Sequence, residues 1–392
     1  MNTQKILILH DYFLYKGGGE RLVISLAKNL GADIATAFIA KDAFDPRESG
    51  IKTIELYKEK PWSRLPGFRY LQVQFSFLFK TGFAKNYDVI IYSGDCLIAL
   101  IGLRNKKNIA YMHTPPRHLY DNYQERLKSY PLWKKIIFVP FVLFNRWRFS
   151  ALAKRLDVIV TNSKNTQARI KEYLGLDSVV VYPPCDTLPF RNLLNDKPAL
   201  GSSHPPTPLK GGFAPGEYFF SWARLYPIKR VDKIVEVFIG MPDKKLIVAS
   251  AGPDLEKIKK MAKGHQNITI LGWINDAQLL DYLGKCLATI YIPIREDFGM
   301  SAVESMQAGK PVIGVAEGGL LEIINDHQNG LLLKPDFSVD DLRAAIRQMT
   351  PELAKTMENS CLETAKKFSE QTFTEGIKSV IYTHSLQDKK VV

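Results

Sequence analysis

Short apolar, β-branched runs alternate along the chain with stretches whose apolar residues recur at helical spacing. KILILH, YDVIIYS, NIAYMH and LDVIVTNS read as strands. After the first of them, GERLVISLAKNL sets Leu22, Val23, Leu26, Ala27 and Leu30 on one helix face, and the glycines ahead of it end the strand. This alternation predicts βα units in a parallel sheet. Around residues 183–217 the pattern collapses into PPCDTLPFRNLLNDKPALGSSHPPTPLKGGFAPG, whose Pro, Gly and Ser content predicts a linker, 184–216, with a flexible insertion at 195–216. The alternation then restarts in YFFSWARL, VDKIVEVFIG, KLIVASAG, LEKIKKMAK, ITILGWI, AQLLDYLGKC, LATIYIPI, SAVESMQAG, PVIGVA and GLLEIIN, and closes on helices over about 338–388. The fold class is α/β, with one doubly wound, Rossmann-like domain over 1–183 and another over 217–371. Ligands of such sheets bind at the carboxyl ends of the strands, so a cleft between the two halves is the expected site.

A length of 392 residues with 46% hydrophobic and 24% charged side chains fits a two-domain globular protein. No contiguous run approaches the roughly 18 apolar residues of a membrane span. MNTQKILILHDY does not read as a signal peptide, so a cytoplasmic location is expected. Cys96, Cys185, Cys286 and Cys361 are far apart, which argues against a zinc site or a disulfide framework.

Charge changes the picture more. Residues 1–183 hold 28 basic and 15 acidic residues, an excess equal to the +13 of the whole chain. The first half therefore points to an anionic partner. Its two basic tracts, 60–87 and 126–156, contain no acid. Lys60, Arg64, Arg69, Lys80 and Lys85 are set among Trp62, Phe68, Tyr70, Phe75, Phe77, Phe79 and Phe83; the second tract has Trp133, Phe138, Phe141, Phe144 and Trp147 among eight basic residues. Interleaved cations and aromatics suit an interfacial helix on anionic lipid, or single-stranded nucleic acid. The alternative is that these aromatics merely close the core of the first domain.

Several short stretches could carry chemistry. Gly17, Gly18 and Gly19 lie between the first strand and its helix, where backbone N–H groups can meet a phosphate; such a turn is also common as plain geometry. Arg224 and Lys229, just past a strand end in WARLYPIKR, suit a diphosphate or form a solvated basic loop. In REDFGMSAVE, Glu296 falls in the loop after a strand, Gly299, Met300 and Ser301 open the next helix, and Glu304 lies in its second turn. The amides there can receive phosphate oxygens while the two carboxylates accept hydrogen bonds from hydroxyls, a layout that fits a sugar nucleotide. His113, at a strand end and followed by Pro115 and Pro116, can hydrogen-bond a substrate hydroxyl or serve a structural role; Arg117 beside it could meet an anionic acceptor.

ARLYPIK, AGPD, LGWI, REDFGMSAVESMQAGKPVIGV and GGLLEII, preceded by TNSKNTQARIKEYLGLDSVVVYPPCD, resemble the retaining GT-B-fold glycosyltransferases of family 4. MHTPPR with EDFGM is closest to members similar to O-antigen and exopolysaccharide mannosyltransferases. The resemblance implies that Arg224 and Lys229 hold the donor diphosphate, Glu296 the sugar hydroxyls and Glu304 the ribose. Backbone from Phe298 to Ser301 would support sugar and phosphate, His113 would face the reacting centre, and Gly17–Gly19 would close on the phosphates. It further implies GDP-mannose as donor, a lipid-linked or envelope glycan as acceptor, no cofactor, no nucleic-acid partner, peripheral attachment to the inner membrane face, and a C-terminal helix (about 372–392) returning to the first domain. Asp297 and Ala223 stand where the family often has glycine, which bears on the donor. No D-x-D occurs, so no metal requirement is implied.

Overall fold

A computed structural model describes residues 4–60, 65–103, 106–185 and 213–383. Trp62, Arg64, most of the 184–216 linker and residues 384–392 lie outside them. The chain divides into unit 1, residues 1–183 with 373–392, and unit 2, residues 184–372.

Unit 1 is built on a parallel sheet. Its strands are β1 Ile6–His10, β2 Asp33–Thr36, β3 Thr53–Glu55, β4 Val89–Ser93, β5 Lys107–Met112, β6 Val158–Thr161 and β7 Val179–Val180, in the spatial order β3-β2-β1-β4-β5-β6-β7. Alternation along the central strands feeds two cores. Leu7, Leu9, Ile90, Tyr92, Ala110 and Met112 face one layer; Ile6, Ile8, Val89, Ile91, Ile109 and Tyr111 face the other. Burial on both faces is why these segments read as nearly continuous apolar runs. The first layer is covered by α2 (Pro66–Phe79) and, after the short α3 (Tyr123–Ser129), by α4 (Leu132–Ala153), through Val73, Phe77, Phe149 and Leu152. The second is covered by α1 (Gly18–Leu30) and by the C-terminal helix Glu370–Thr383, whose Phe373, Ile377, Val380 and Ile381 are buried there. Lys107 donates to the Ile381 carbonyl, and the Phe373 ring meets Tyr111 edge-on at 6.0 Å.

Unit 2 repeats the logic with β8 Tyr218–Ser221, β9 Lys245–Ala249, β10 Ile268–Gly272, β11 Ala288–Tyr291, β12 Val312–Val315 and β13 Gly330–Leu333, ordered β10-β9-β8-β11-β12-β13 and parallel throughout. The order reverses at β8 and β11, the switch point at which ligands of doubly wound sheets collect. GLLEIIN forms a 3₁₀ turn, Gly318–Glu322, rather than a full element.

Although the sequence shows no contiguous apolar span, the 22-residue α4 is long and apolar enough, by length and composition, to cross a membrane. Its apolar residues are interrupted, which hid it from a reading of uninterrupted runs. One face nonetheless belongs to unit 1: Asn145 accepts from Tyr70 at 2.6 Å, and Arg148 donates to Gln74 and Tyr70 at 2.6 and 2.7 Å. The tract aromatics accordingly divide. Phe77 and Phe149 close the core, whereas Phe68, Phe75 and Phe79 on α2 and Trp133, Phe144 and Trp147 on α4 are exposed.

Burial of Phe373 among the sheet residues makes the last helix part of the unit 1 core. Phe373→Ala should lower the unfolding free energy of unit 1 by ~3–5 kcal/mol, read as an earlier denaturant midpoint for unit 1 with unit 2 unchanged.

Candidate active site

The carboxyl ends of the unit 2 strands bring together residues far apart in sequence. Lys229 follows β8 in a 3₁₀ turn, Pro227–Lys229; Glu296 follows β11. Lys229 Nζ lies 2.5 Å from Glu296 Oε2 and 2.9 Å from the hydroxyl of Tyr291, the last residue of β11. The two loops are joined by a backbone hydrogen bond from Ile294 N to Ile228 O, 2.8 Å. Arg230, in the left-handed region at φ 52°, donates through Nε and a terminal nitrogen to the carbonyls of Ile292 and Pro293 and so holds the second loop from below.

Tyr291 is the node that the sequence reading missed. Desolvation pushes its phenol well above the usual tyrosine range, helped by the negative field of Glu296 and Glu304 and opposed by Arg224. Those three charges and Lys229 thus act on one hydroxyl. The one mark of Tyr291 in the sequence is its place at the end of the strand before the glutamate motif, which a core tyrosine shares.

The flanking motifs act through close backbone approach. A Cβ on Gly318 would lie 2.2 Å from the Glu296 carbonyl, and one on Gly319 2.4 Å from the Phe298 Cα. Gly319 N donates to Glu296 O at 2.9 Å, so GGLLEII pins the loop that presents Glu296. Gly252 of AGPD similarly lets its turn pack on Leu225, next to Arg224; its Cβ would meet the Leu225 carbonyl at 2.4 Å. Gly299, at φ 108°, starts the helix Met300–Gln307, where side-chain-free backbone can approach a ligand. Ser250 and Arg295 also hold positive φ, at 98° and 49°. With Arg230, this places strained non-glycine backbone in the loops after β8, β9 and β11, a pattern that collects at functional sites.

The other expected residues divide in role. Arg224 is exposed, with its guanidinium 5.8 Å from the Tyr226 ring. Met300 and Ser301 are half-buried in the first helical turn, and Glu304 is 6% exposed in the second. The Phe298 ring is buried edge-on against Phe368 at 5.3 Å, which leaves its backbone as the part available to a ligand. Lys229, expected to project toward a diphosphate, is shared between Glu296 and Tyr291.

In unit 1, His113 Nε2 lies 3.0 Å from Ser93 Oγ, which in turn lies 3.2 Å from His10 Nδ1. Desolvation lowers the His113 pKa to about 3 and that of His10 to about 4, so both rings are neutral at pH 7 and His113 can hydrogen-bond but not act as an imidazolium. Asp11, raised to about 6 by desolvation, accepts from the amides of Tyr12 and Asp95. At the Gly17–Gly19 turn the surroundings differ from one glycine to the next, and a Cβ on Gly19 would meet nothing within 4 Å. A Cβ on Gly17 would sit 2.6 Å from Glu20 Oε2, so the amino end of α1 already faces a carboxylate of its own helix, and a phosphate would have to displace it. Among the described residues no group of three His, Cys, Asp or Glu side chains is arranged to hold a metal ion.

A depressed histidine pKa makes stability fall as pH drops below 6.5, because the unfolded chain takes up protons that the fold refuses. Asp11 works oppositely between about pH 4 and 6, so a comparison of variants isolates the histidine. His113→Gln should give a shallower loss of unfolding free energy between pH 7 and 4.5 than the parent, measured by urea titration at each pH.

Comparison with known proteins bears on the family and the fold. Residues 211–371 match the glycosyl transferases group 1 family and residues 16–187 glycosyltransferase family 4. The chain is 27% identical to the human alpha-1,3/1,6-mannosyltransferase ALG2, over 95% of this chain and 94% of that one, and 26% identical to ALG2 of Dictyostelium discoideum, over 96% and 97%. Among solved structures, Anabaena HepE in complex with UDP-glucose superposes with a TM-score of 0.69 at 18% identity, covering 97% of this chain and all of that one. WaaG, a glycosyltransferase involved in lipopolysaccharide biosynthesis, superposes with a TM-score of 0.69 at 14% identity, covering 96% and 99%. With the two family matches on its two parallel-sheet units, the chain is a glycosyltransferase of the GT-B fold and belongs to family 4.

Proposed function

We propose that the enzyme moves a mannosyl residue from GDP-mannose to a lipid-linked or cell-envelope saccharide, with retention at the anomeric carbon. The observation that carries this reading is the convergence of Lys229, Glu296, Arg224 and Glu304 on Tyr291 at the carboxyl ends of the unit 2 strands. Full-length similarity to two mannosyltransferases supports the choice of sugar.

The bond from the anomeric carbon to the diphosphate breaks as the acceptor hydroxyl attacks. Negative charge then grows on the leaving phosphate, which takes the acceptor's proton. Arg224, Lys229 and the amides of Gly299–Ser301 are assigned to that charge, since preorganised donors at a developing anion lower the barrier most. Glu296 is assigned to the sugar hydroxyls and Glu304 to the ribose. Once diphosphate arrives, Lys229 exchanges part of its contact with Glu296 for the phosphate, which frees carboxylate lone pairs for the sugar. His113, neutral, contributes a hydrogen bond and no proton.

A UDP-sugar donor is the second reading, favoured by the UDP-glucose complex of HepE. GDP-mannose should raise the melting temperature more than UDP-glucose does, and Lys229→Ala or Glu296→Ala should reduce transfer by about 100-fold or more while the variants stay folded. Equal shifts with both donors would remove GDP-mannose, and full activity in either variant would remove the site assignment.

Membrane docking through α2 and α4 forms part of the same proposal. On α4, Trp133, Ile137, Phe144 and Trp147 recur at helical spacing and are exposed, with Lys134 packed 5.2 Å over the Trp133 ring; on α2, Phe68, Leu71, Phe75 and Phe79 do the same. Cations beside an apolar stripe fit an anionic interface. Flotation with vesicles containing phosphatidylglycerol should recover the protein at low salt and less of it at high salt; no recovery at any ionic strength would return these faces to a purely structural role.

A further inference from the structure

Unit 1 contains a cavity of about 900 Å³ that His113 borders at its polar end and whose apolar remainder the transfer chemistry leaves without a role. Its walls are the sheet face at Tyr92, Ala110 and Met112 and the undersides of α2 and α4 at Val73, Phe141 and Phe149. Polar groups gather at the strand ends: Asp11, Asp95 and His113, with His118 beside them and Arg69 and Arg126 completing the rim. His118 Nε2 is buried and has no hydrogen-bond partner among the described residues. At the other side, Phe68, Leu71 and Phe141 line the cavity while remaining 63%, 51% and 40% exposed, so it opens to the surface within the apolar stripes of α2 and α4.

This form selects its occupant. A nucleotide diphosphate seated deep inside would face the carboxylates of Asp11 and Asp95 and the largely apolar wall at Val73, Ala110, Met112 and Phe149. A hydrocarbon matches the walls, and the volume falls in the range of ~300–1,000 Å³ typical of pockets that enclose small ligands. A phosphate at the rim would meet two guanidiniums and the unpartnered imidazole nitrogen.

We propose that this cavity holds the proximal hydrocarbon of a phosphate-bearing single-chain lipid, which enters between α2 and α4 with its head at Arg69, Arg126 and His118. The inference deepens the acceptor assignment above and rests on it: the chain would be drawn from the bilayer, leaving the saccharide end free to reach the strand ends. Binding follows from apolar burial plus charge pairing at the head, and the tail supplies most of it.

The test is calorimetric titration of the full chain with dodecyl phosphate below its micellar concentration and with butyl phosphate. The longer chain should bind at least 10-fold tighter. Leu71→Glu, at an exposed wall position that tolerates charge, and Ala110→Phe, which fills the interior, should each abolish that advantage, and Arg126→Gln should weaken both ligands several-fold. The denaturant midpoint of unit 1 in all three variants should match the parent, which certifies folding, and so should nucleotide-sugar binding by unit 2, which separates this inference from the donor assignment. Equal affinity for the two alkyl phosphates, or an advantage for dodecyl phosphate that survives both Leu71→Glu and Ala110→Phe, would overturn it. Loss of nucleotide-sugar binding in the parent with the chain-length effect intact would instead fault the donor site and leave the cavity assignment standing.

Discussion

The contact of Lys229 with Glu296 and Tyr291 depends on two loops from different strands running within backbone hydrogen-bond distance of each other. Ile294 N to Ile228 O sets that separation, and Arg230 holds the second loop by its carbonyls. Gly318 and Gly319 allow a third loop to lie directly on the backbone of Glu296 and Phe298. Any side chain at those glycines would push the glutamate loop outward and separate the charges. The site is therefore a property of backbone packing at the switch point of the sheet, and its ionic contacts report that packing. A carboxylate next to an ammonium and a desolvated phenol is also a poised arrangement: the lysine can exchange partners when a more highly charged anion arrives, without a change in fold.

Unit 1 solves a different problem. Its strand ends carry a chain of neutral or nearly neutral polar groups, His10, Ser93 and His113, kept uncharged by burial. Directly beneath lies apolar volume under helices whose outer faces are also apolar. A globular protein in water does not expose two adjacent apolar helix stripes without use for them. The polar ties between Tyr70, Asn145, Gln74 and Arg148 fix α2 against α4 and keep those stripes side by side. Attachment to a bilayer and admission of a hydrocarbon would then be two consequences of one surface.

Much of this was legible in the sequence because the signals are local. Strands buried on both faces appear as apolar runs, the linker as a loss of periodicity, and the loops of unit 2 as glycines and charges at strand ends. Arg224, Lys229, Glu296 and Glu304 could be named for that reason. Tyr291 could not, since nothing in ATIYIPI distinguishes a tyrosine that closes a charge cluster from one that fills a core. At the Gly17–Gly19 turn the sequence promises bare amides, and only the fold shows that the Glu20 carboxylate lies beside Gly17 while the space at Gly19 is open. α4 escaped a search for uninterrupted apolar runs because Lys134, Lys135, Asn145, Arg146 and Arg148 break its apolar sequence into shorter pieces.

What the sequence determined by itself was the alternation of strand and helix, the division into two α/β units, the concentration of positive charge in the first, and the residue types available at the strand ends. These follow from periodicity and composition, which act over a few residues. Tertiary structure alone decided which charges meet, which histidines stay neutral, and that an apolar cavity opens between α2 and α4. Those outcomes depend on desolvation and on approaches of a few ångströms between segments tens of residues apart, and no local pattern encodes such distances.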